Sequence, residues 1–184
     1  MANNKLLIAK QSNGRHEEAT KGMRKWIKHI DLASPANLHA QYAAGAPLNS
    51  SSGFTAMPDP SRTVQLVVGA GGVACDFTVT GTRFGAAQSE VVAGTGAGTF
   101  QSTKAYDSIT SLTSNVDPAD TVDLQTGSGV GLPEAFDGAL VRYSVDGVDT
   151  AITGSDAASG TVLIAPGSPP NGARDFAVVY NPAY

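Results

Sequence analysis

The stretch that decides the fold is residues 74–112, which read ACDFTVTGTRFGAAQSEVVAGTGAGTFQSTKAYDSITSL. Apolar and polar residues alternate at its start, so Phe77 and Val79 face one side while Thr78 and Thr80 face the other. This period of two residues is typical of a strand with one buried face. Glycine-rich turns then separate two further short runs. The stretch therefore predicts a β-meander with turns at 81–85 and 94–98 and further strands at 89–92 and 106–112.

The alternation continues on both sides of this stretch. Asp146-Gly147 is typical of a hairpin turn, and residues 127–133 read as a glycine-rich loop. Further strands are predicted at 62–68, 121–124, 139–145, 148–153, 161–164 and 175–180. About eight or nine short strands separated by turns are typical of a mainly β fold, an antiparallel β-sandwich or a jelly-roll-like barrel. We expect residues 62–184 to form this domain.

Charge divides the chain into two parts. Residues 1–40 hold seven basic and three acidic side chains, a net charge of +4. Residues 41–184 hold five basic and thirteen acidic side chains, a net charge of −8. A single cysteine, Cys75, excludes an internal disulfide framework and is expected in the core. No apolar run approaches the roughly 20 residues of a membrane-spanning helix, so we expect no membrane partner.

Residues 1–61 are predicted to form a basic N-terminal arm. A short helix is predicted near 17–30, because Met23, Trp26, Ile27 and Ile30 recur at three- and four-residue spacing. An irregular arm is the alternative, since Gly22 weakens a helix by about 1 kcal/mol relative to alanine. Residues 31–61 contain four prolines and a serine run, which predict an extended linker or a loop lying over a neighbouring surface.

Residues capable of catalysis or metal binding do not form a recognised motif. The β region contains no histidine to activate a nucleophile, and the three histidines of the arm lack the spacing of a zinc site. Residues 94–98 are followed by a strand and lack the Gly-Lys-Ser/Thr ending of a phosphate loop. Asp117, Asp120 and Asp123 are interpreted as turn formers, with calcium binding as the alternative. We therefore expect no cofactor and no enzymatic activity.

The arm combines apolar and basic residues that suit docking on a partner protein. The apolar residues would be anchors, and the basic residues would pair with carboxylates. Nucleic-acid binding by the same basic group is the alternative, but docking on protein explains the apolar residues as well. The candidate docking residues are Leu6, Leu7, Ile8, Lys21, Arg24, Lys25, Trp26, Ile27 and Lys28.

Several runs of the β region resemble a module of tailed-bacteriophage virion proteins. The matching runs are Thr78-Val79-Thr80-Gly81-Thr82, Ser89-Glu90-Val91-Val92, the run KAYDSITSL at 104–112, Gly131-Leu132-Pro133 and the closing DFAVVYNP at 175–182. The chain departs from that pattern at Arg83, where an acidic or amide residue is usual. It departs again at Tyr106-Asp107, where the pattern has Phe-Lys. The resemblance covers about two-thirds of the chain.

The resemblance implies a structural protein of the phage particle and leaves its place in the particle open. Our first expectation is a capsid decoration or cement protein, made in the host cytoplasm and located on the virion surface. Its arm would dock on the major capsid protein or other virion proteins and stabilise the shell, with the protein as a homo-oligomer on the particle. The alternatives are a head–tail, tail or baseplate component and, after these, a receptor- or glycan-binding β-sandwich.

Overall fold

The computed structural model describes residues 24–30, 35–58, 60–149, 152–164 and 173–183, and every helix or strand element among them is a strand. In chain order the strands are β1 (Arg24–Ile30), β2 (Asn49–Ser50), β3 (Arg62–Val68), β4 (Ala74–Arg83), β5 (Ala86–Thr95), β6 (Gly98–Gln101), β7 (Ser108–Ser114), β8 (Val122–Gly131), β9 (Phe136–Val145), β10 (Val148–Asp149), β11 (Ile152–Asp156), β12 (Thr161–Ile164) and β13 (Arg174–Pro182). None of the described residues forms a helix long and apolar enough to cross a membrane.

These strands form three antiparallel sheets. Sheet 1 has the order β1-β13-β9-β10, sheet 2 the order β11-β12-β8-β3-β6, and sheet 3 the order β2-β7-β4-β5. The prediction of an antiparallel, mainly β fold is therefore confirmed. In sheet 3, β4 lies between β5 and β7, so the three runs of the predicted meander are neighbours. The chain leaves this sheet once between them, because β6 pairs with β3 in sheet 2.

Two clusters of buried apolar residues lie inside the fold. Cluster one contains Leu38, Leu48, Val64, Leu66, Val68, Cys75, Phe77, Val79, Val92, Tyr106, Ile109, Leu112, Val122 and Leu124. Cluster two contains Val130, Leu132, Phe136, Tyr143, Val145, Val162, Ile164, Phe176, Val178 and Tyr180. Strand β8 contributes to both, with Val122 and Leu124 in cluster one and Val130 in cluster two. The inward positions predicted for Phe77, Val79 and Cys75 are confirmed.

The predicted N-terminal helix is wrong over Arg24–Ile30. These residues are β1, which pairs with β13 from Arg24↔Tyr180 to Ile30↔Arg174. Residues 17–23 lie outside the described part of the chain. Tryptophan and isoleucine are common in strands as well as in amphipathic helices. The edge of β13 offers a backbone partner along the whole of β1, and such tertiary pairing overrides a weak local helix preference.

Of the segment predicted as an extended linker or a loop over a neighbouring surface, residues 36–42 run along β8. Leu38 N donates to Leu124 O at 2.9 Å, and Tyr42 N donates to Val122 O at 2.9 Å. Leu38 is fully buried in cluster one, and Leu48 is buried beside it. The division between residues 61 and 62 into two domains stays a prediction, but cluster one draws residues from both sides of it.

Strand β8 continues through residues 127–131, where a loop was predicted. Gly129 N donates to Thr63 Oγ1 at 2.9 Å, and the buried Thr63 side chain lies against Gly127 and Gly129. A side chain at either glycine would occupy the space of Thr63. These glycines therefore permit the close approach of β3 and β8, which is a second use of glycine in strands besides ending them.

Candidate functional site

The most elaborate polar site among the described residues is built around Arg83, the last residue of β4. Its side chain is buried and contacts three separate segments. Nη1 donates to Asp107 Oδ1 at 2.6 Å, Nε donates to the carbonyl of Ser159 at 2.7 Å, and Nη2 donates to the carbonyl of Leu132. We call this group, with Ser61 and Phe84, the Arg83 junction. It joins the end of sheet 3 to segments that border cluster two.

Asp107 completes the ion pair and is held by three donors. Its carboxylate accepts hydrogen bonds from Ser61 Oγ at 2.5 Å, from Arg83 Nη1 at 2.6 Å and from Phe84 N at 2.7 Å. Partial burial raises the pKa of Asp107, but these hydrogen bonds and the charge of Arg83 outweigh burial and hold the pKa below its usual value. The carboxylate is therefore ionised at neutral pH, and its donors hold it as a structural acceptor.

Arginine is suited to this position because its planar guanidinium donates in several directions at once. Burial lowers the pKa of Arg83, and the hydrogen bond and charge of Asp107 oppose that shift. The group stays protonated at neutral pH, since arginine loses its proton only in strongly basic solution. The two partners thus form a charge-compensated pair, with the arginine buried and the carboxylate partly exposed.

Phe84 covers the junction from the outside. Its ring lies over the guanidinium of Arg83, 3.9 Å from the centroid, which is a cation–π geometry. Phe84 has φ of 53° and Gly85 has φ of 75°, so the two residues form the tight turn between β4 and β5. A phenylalanine in the left-handed region is unusual, since this conformation favours glycine, asparagine and aspartate. The hydrogen bond from Phe84 N to Asp107 holds it there.

An open depression of about 220 Å³ lies beside the junction. Its lining is partly apolar, from Pro60, Phe84, Leu132 and Pro133, and partly the junction itself. The polar side chains that face it, Ser61 and Asp107, are already bonded to each other. Among the described side chains of this lining there is no histidine, so Ser61 has no partner that would make it a nucleophile. The ion pair and its hydrogen bonds connect separate segments of the chain beside this depression.

A second polar contact joins two of the runs that resemble the phage module. Glu90 of β5 accepts hydrogen bonds from Thr103 N at 2.7 Å, Thr103 Oγ1 at 2.8 Å and Lys104 N at 3.0 Å. Lys104 Nζ in turn donates to Ser89 O at 3.1 Å. These bonds tie the run at 89–92 to the run at 104–112. The contact of Arg83 with Leu132 ties the first run to Gly131-Leu132-Pro133 in a similar way.

The three turn aspartates are engaged by the chain itself. Asp117 Oδ1 accepts from Ala119 N at 2.9 Å, and Asp123 Oδ2 accepts from Gln41 Nε2 at 3.3 Å. Asp120 accepts from Gly71 N at 2.7 Å and from Thr121 N at 2.6 Å, and these backbone hydrogen bonds lower its pKa. Within the described residues, no three side chains of His, Cys, Asp or Glu gather where they could hold a metal ion. Calcium binding at these turns stays the less favoured alternative.

The predicted docking residues fall into two groups. Leu6, Leu7, Ile8 and Lys21 lie outside the described part of the chain. Arg24, Lys25, Trp26, Ile27 and Lys28 are consecutive in β1, where they pair with Tyr180, Val179, Val178, Ala177 and Phe176. The structure therefore places the second group on one strand at the end of sheet 1. Their role in docking stays a prediction.

The Arg83 junction was not predicted as a site. Arg83 and Asp107 each stood out only as departures from the phage pattern, 24 residues apart. The sequence did single out Arg83 in one respect, because residues 41–184 contain only five basic side chains. A rare arginine at a strand end, next to a turn, needs a partner if it is buried. Nothing in the local pattern identifies which of thirteen acids that partner is.

Comparison of the chain with protein-family models, with curated proteins and with solved structures gives no significant match.

Proposed function

We propose that this chain is a non-enzymatic structural protein of a tailed-bacteriophage particle, most directly a capsid decoration or cement protein. It would dock on the major capsid protein through its N-terminal residues and stabilise the assembled shell. A protein that binds the assembled shell but not free subunits stabilises that shell by mass action.

One observation carries this proposal: the two departures from the phage pattern are partners. The pattern has an acidic or amide residue at position 83 and a lysine at position 107, whereas this chain has Arg83 and Asp107. These two side chains form an ion pair at 2.6 Å. This chain therefore has opposite charges at the two positions, as the pattern does where its first position is acidic. The two departures at Arg83 and Asp107, which weakened the resemblance when only the sequence was considered, contact each other in the structure. Two changes at contacting positions are compatible with the resemblance.

We infer further that sheets 2 and 3 pack face to face as an antiparallel β-sandwich. Cluster one supports this, because it combines Val64 and Leu124 of sheet 2 with Phe77 and Leu112 of sheet 3. Side chains from two inner faces that share one core are typical of sandwiches. The fold would provide a rigid body for the particle surface, with the matched runs on β4, β5 and β7 in one of its sheets.

The N-terminal residues remain the proposed docking element, but residues 24–30 of this element form a strand where a helix was predicted. Strand β1 ends sheet 1 among the described strands, so its second edge has no described strand beside it. It carries the run Arg24-Lys25-Trp26-Ile27-Lys28-His29, and basic residues on an edge strand discourage pairing with identical chains. An acidic capsid surface is the partner that this charge favours. The residues before β1 would extend the contact through Leu6, Leu7 and Ile8.

Binding to shells of the major capsid protein tests the proposal. The variant with both Arg24→Glu and Lys25→Glu should bind more weakly at low salt and lose this deficit at high salt, because exposed charges are screened over about 8 Å at physiological ionic strength. Trp26→Ala should weaken binding at all salt concentrations, since its contribution is apolar burial. Lys104→Glu, which changes a basic residue far along the chain, is the control. Wild-type protein that does not bind such shells would overturn the proposal.

A head–tail, tail or baseplate component is the second candidate, because the same resemblance supports it. Gel densitometry of purified particles separates the two. A copy number comparable to that of the major capsid protein supports the shell, and a small number matching a single ring supports the tail. A receptor- or glycan-binding sandwich is a lower alternative. Aromatic side chains suited to sugar stacking are few, with one tryptophan and five tyrosines in the chain.

A further inference from the structure

The half-buried side chain of His39 contacts two segments that belong to different sheets. The first is its own segment, residues 36–42, which runs along β8 of sheet 2. The second is the loop at residues 51–55, which follows β2 of sheet 3. The amide of Thr55 donates to the carbonyl of Leu38 at 2.7 Å, so the backbones of the two segments already touch beside the ring.

Both ring nitrogens of His39 face backbone carbonyls. Nδ1 lies 2.6 Å from Ala40 O, and Nε2 lies 3.2 Å from Ser52 O. A carbonyl oxygen only accepts, whereas a neutral imidazole has one N–H donor and one acceptor nitrogen. The neutral ring can therefore bond to one of these carbonyls, and its other nitrogen turns a lone pair toward an oxygen. The protonated ring has an N–H on each nitrogen and satisfies both carbonyls.

The aromatic neighbours of the ring favour the same charged form. The His39 and Tyr42 rings are stacked, with centroids 4.3 Å apart and planes within 5°, and Phe54 lies at 5.2 Å in a tilted geometry. A cation over the face of an aromatic ring is attracted by the electrons of that ring. Burial raises the pKa of Tyr42, so its phenol stays neutral between pH 5 and 8 and adds no change of charge there.

Gly53 allows the loop to approach the ring this closely. Its φ is 81°, in the left-handed region that favours glycine. A Cβ atom at this position would lie 2.9 Å from Nε2 of His39, which is closer than side-chain contacts allow. The position of the loop against the ring therefore depends on glycine for its conformation and for its closeness.

The titratable groups of the elements around His39 are few. Residues 51–55 and strand β7 contain none, and Tyr42 is the other one in residues 36–42. Strand β8 contains Asp123 alone, whose carboxylate accepts from Gln41 Nε2 at 3.3 Å. Among the residues that the structure describes, His39 makes no ion pair. The two carbonyls and the stacked ring are thus the contacts that distinguish its charged form from its neutral form.

We propose that His39 is a pH-sensitive clip between residues 36–42 and the loop at 51–55. When protonated, the ring donates to Ala40 O and Ser52 O and holds the loop against the segment on β8. When neutral, it keeps the shorter contact to Ala40 O and loses the one to Ser52 O, so the loop is held less tightly. Because the folded state gains a hydrogen bond on protonation, its stability rises as pH falls through the range in which histidine takes up a proton. The clip concerns the free protein and does not rest on the proposed function.

Thermal melts of the full chain at about pH 8 and about pH 5.5, on either side of the usual histidine range, test the clip. The wild-type Tm should be about 2–4 °C higher at the lower pH, the shift that one hydrogen bond of average strength gives in a chain of this size. His39→Phe keeps a ring for stacking and has no donor, so it should lose this rise. The chain contains three histidines, and the double variant His16→Gln with His29→Gln leaves His39 alone. This control should respond like wild type.

Hydrogen exchange followed by nuclear magnetic resonance places the effect in the structure. Protection of the Thr55 amide, corrected for the intrinsic pH dependence of exchange, should be about fivefold greater at the lower pH in wild type and unchanged in His39→Phe. The amide of Tyr106, which donates to Arg62 O, is the internal control and should not respond. Three results would overturn the clip: an equal rise in Tm in His39→Phe, loss of the rise in the double variant, or wild-type Thr55 protection that does not depend on pH. The last two measurements decide the question even if His39→Phe does not fold.

Discussion

Cluster one and cluster two differ in how far apart along the chain their strands lie. Cluster one is built largely around the β4–β5 hairpin, whose two strands have ten residues each, and the neighbouring strands β3, β7 and β8. Cluster two depends on sheet 1, in which β1 pairs with β13 and Arg24 lies opposite Tyr180. Local alternation is enough to predict the first kind of region. The second kind depends on pairing between the two ends of the chain, which local patterns do not contain.

Two features connect the clusters. Strand β8 supplies buried residues to both, and the Arg83 junction joins β4 to the carbonyls of Leu132 and Ser159. If these connections are strong, the two regions unfold together in one transition. If they are weak, the regions unfold separately. Denaturation of variants in each cluster and at the junction distinguishes these two cases.

Removing one buried phenylalanine from each cluster should give the largest effect. Phe77 and Phe176 are both almost completely buried, and Phe→Ala in a core costs about 3–5 kcal/mol. Each variant should lose stability by this amount in both far-ultraviolet circular dichroism and tryptophan fluorescence. Trp26, the single tryptophan, lies in β1 of sheet 1, so its fluorescence reports on the cluster-two side.

Coincident transitions in Phe77→Ala would establish coupling between the clusters. A variant in which circular dichroism is lost at lower denaturant than the fluorescence signal would instead show two independent units. That result would also give direct support to a chain divided into separately folding parts.

The second prediction concerns the junction itself. Arg83→Met should cost about 3 kcal/mol, because it leaves the carboxylate of Asp107 and two carbonyls without their buried donor. Arg142→Met is the matched control: Arg142 also lies 2.6 Å from its partner, Asp149, but both side chains are largely exposed. Exposed pairs contribute about 0–1 kcal/mol. Urea denaturation of the two variants compares them, and equal losses would contradict a structural role for burial at Arg83.

The strand positions of the β region could be predicted because they are set by alternation. Strands β3, β4, β12 and β13 agree with the sequence to within a few residues, and the Asp146-Gly147 turn is present with positive φ at both residues. Residues that need a distant partner were predicted poorly. The stripe of Trp26, Ile27 and Ile30 fits a helix when read alone, and only the available edge of β13 makes it a strand.

The second wrong prediction was the loop at residues 127–133, which rested on its high glycine content. Residues 127–131 have the composition of a loop, yet they continue β8 because Thr63 of the neighbouring strand occupies the space above the glycines. The Arg83 junction was missed because its partners, too, are distant from it along the chain. Its three contacts come from residues 107, 132 and 159, and the sequence contains no periodic signal that joins them.

A third prediction uses the acid side of the junction. The folded-state pKa of Asp107 is below its usual value, so the carboxylate stabilises the fold above the unfolded pKa of about 3.9, and this stabilisation is lost as pH falls through the folded value. The Tm of the wild-type protein should therefore decrease as the pH is lowered below about 4. Ser61→Ala removes one donor to Asp107 and should reduce this acid-dependent loss. Asp107→Asn should reduce it further, although its Tm at neutral pH is lower. Identical acid profiles of all three proteins would contradict the assignment.

The smallest effect is expected at a turn on the cluster-one side. Ala119, which precedes β8, has φ of 63°, and its amide donates to Asp117 Oδ1 at 2.9 Å. The left-handed conformation costs alanine roughly 1–2 kcal/mol, whereas glycine adopts it without a steric penalty. Glycine also loses more backbone entropy on folding, by about 0.4–1 kcal/mol. Ala119→Gly should therefore stabilise the protein by about 0.5 kcal/mol, with the hydrogen bond to Asp117 unchanged.

Asp146 occupies the corresponding position at the turn between β9 and β10, with φ of 51°, but aspartate tolerates this conformation and its carboxylate accepts from Asp175 N at 2.9 Å. Of these two turns, the gain from glycine is therefore expected only at Ala119. Ala87→Gly, at an exposed strand position in β5, measures the entropic cost by itself and should destabilise by roughly 0.5–1 kcal/mol. If the clusters are coupled, the small gain of Ala119→Gly appears equally in circular dichroism and in Trp26 fluorescence. A gain confined to circular dichroism would mean that β8 does not transmit stability from one cluster to the other.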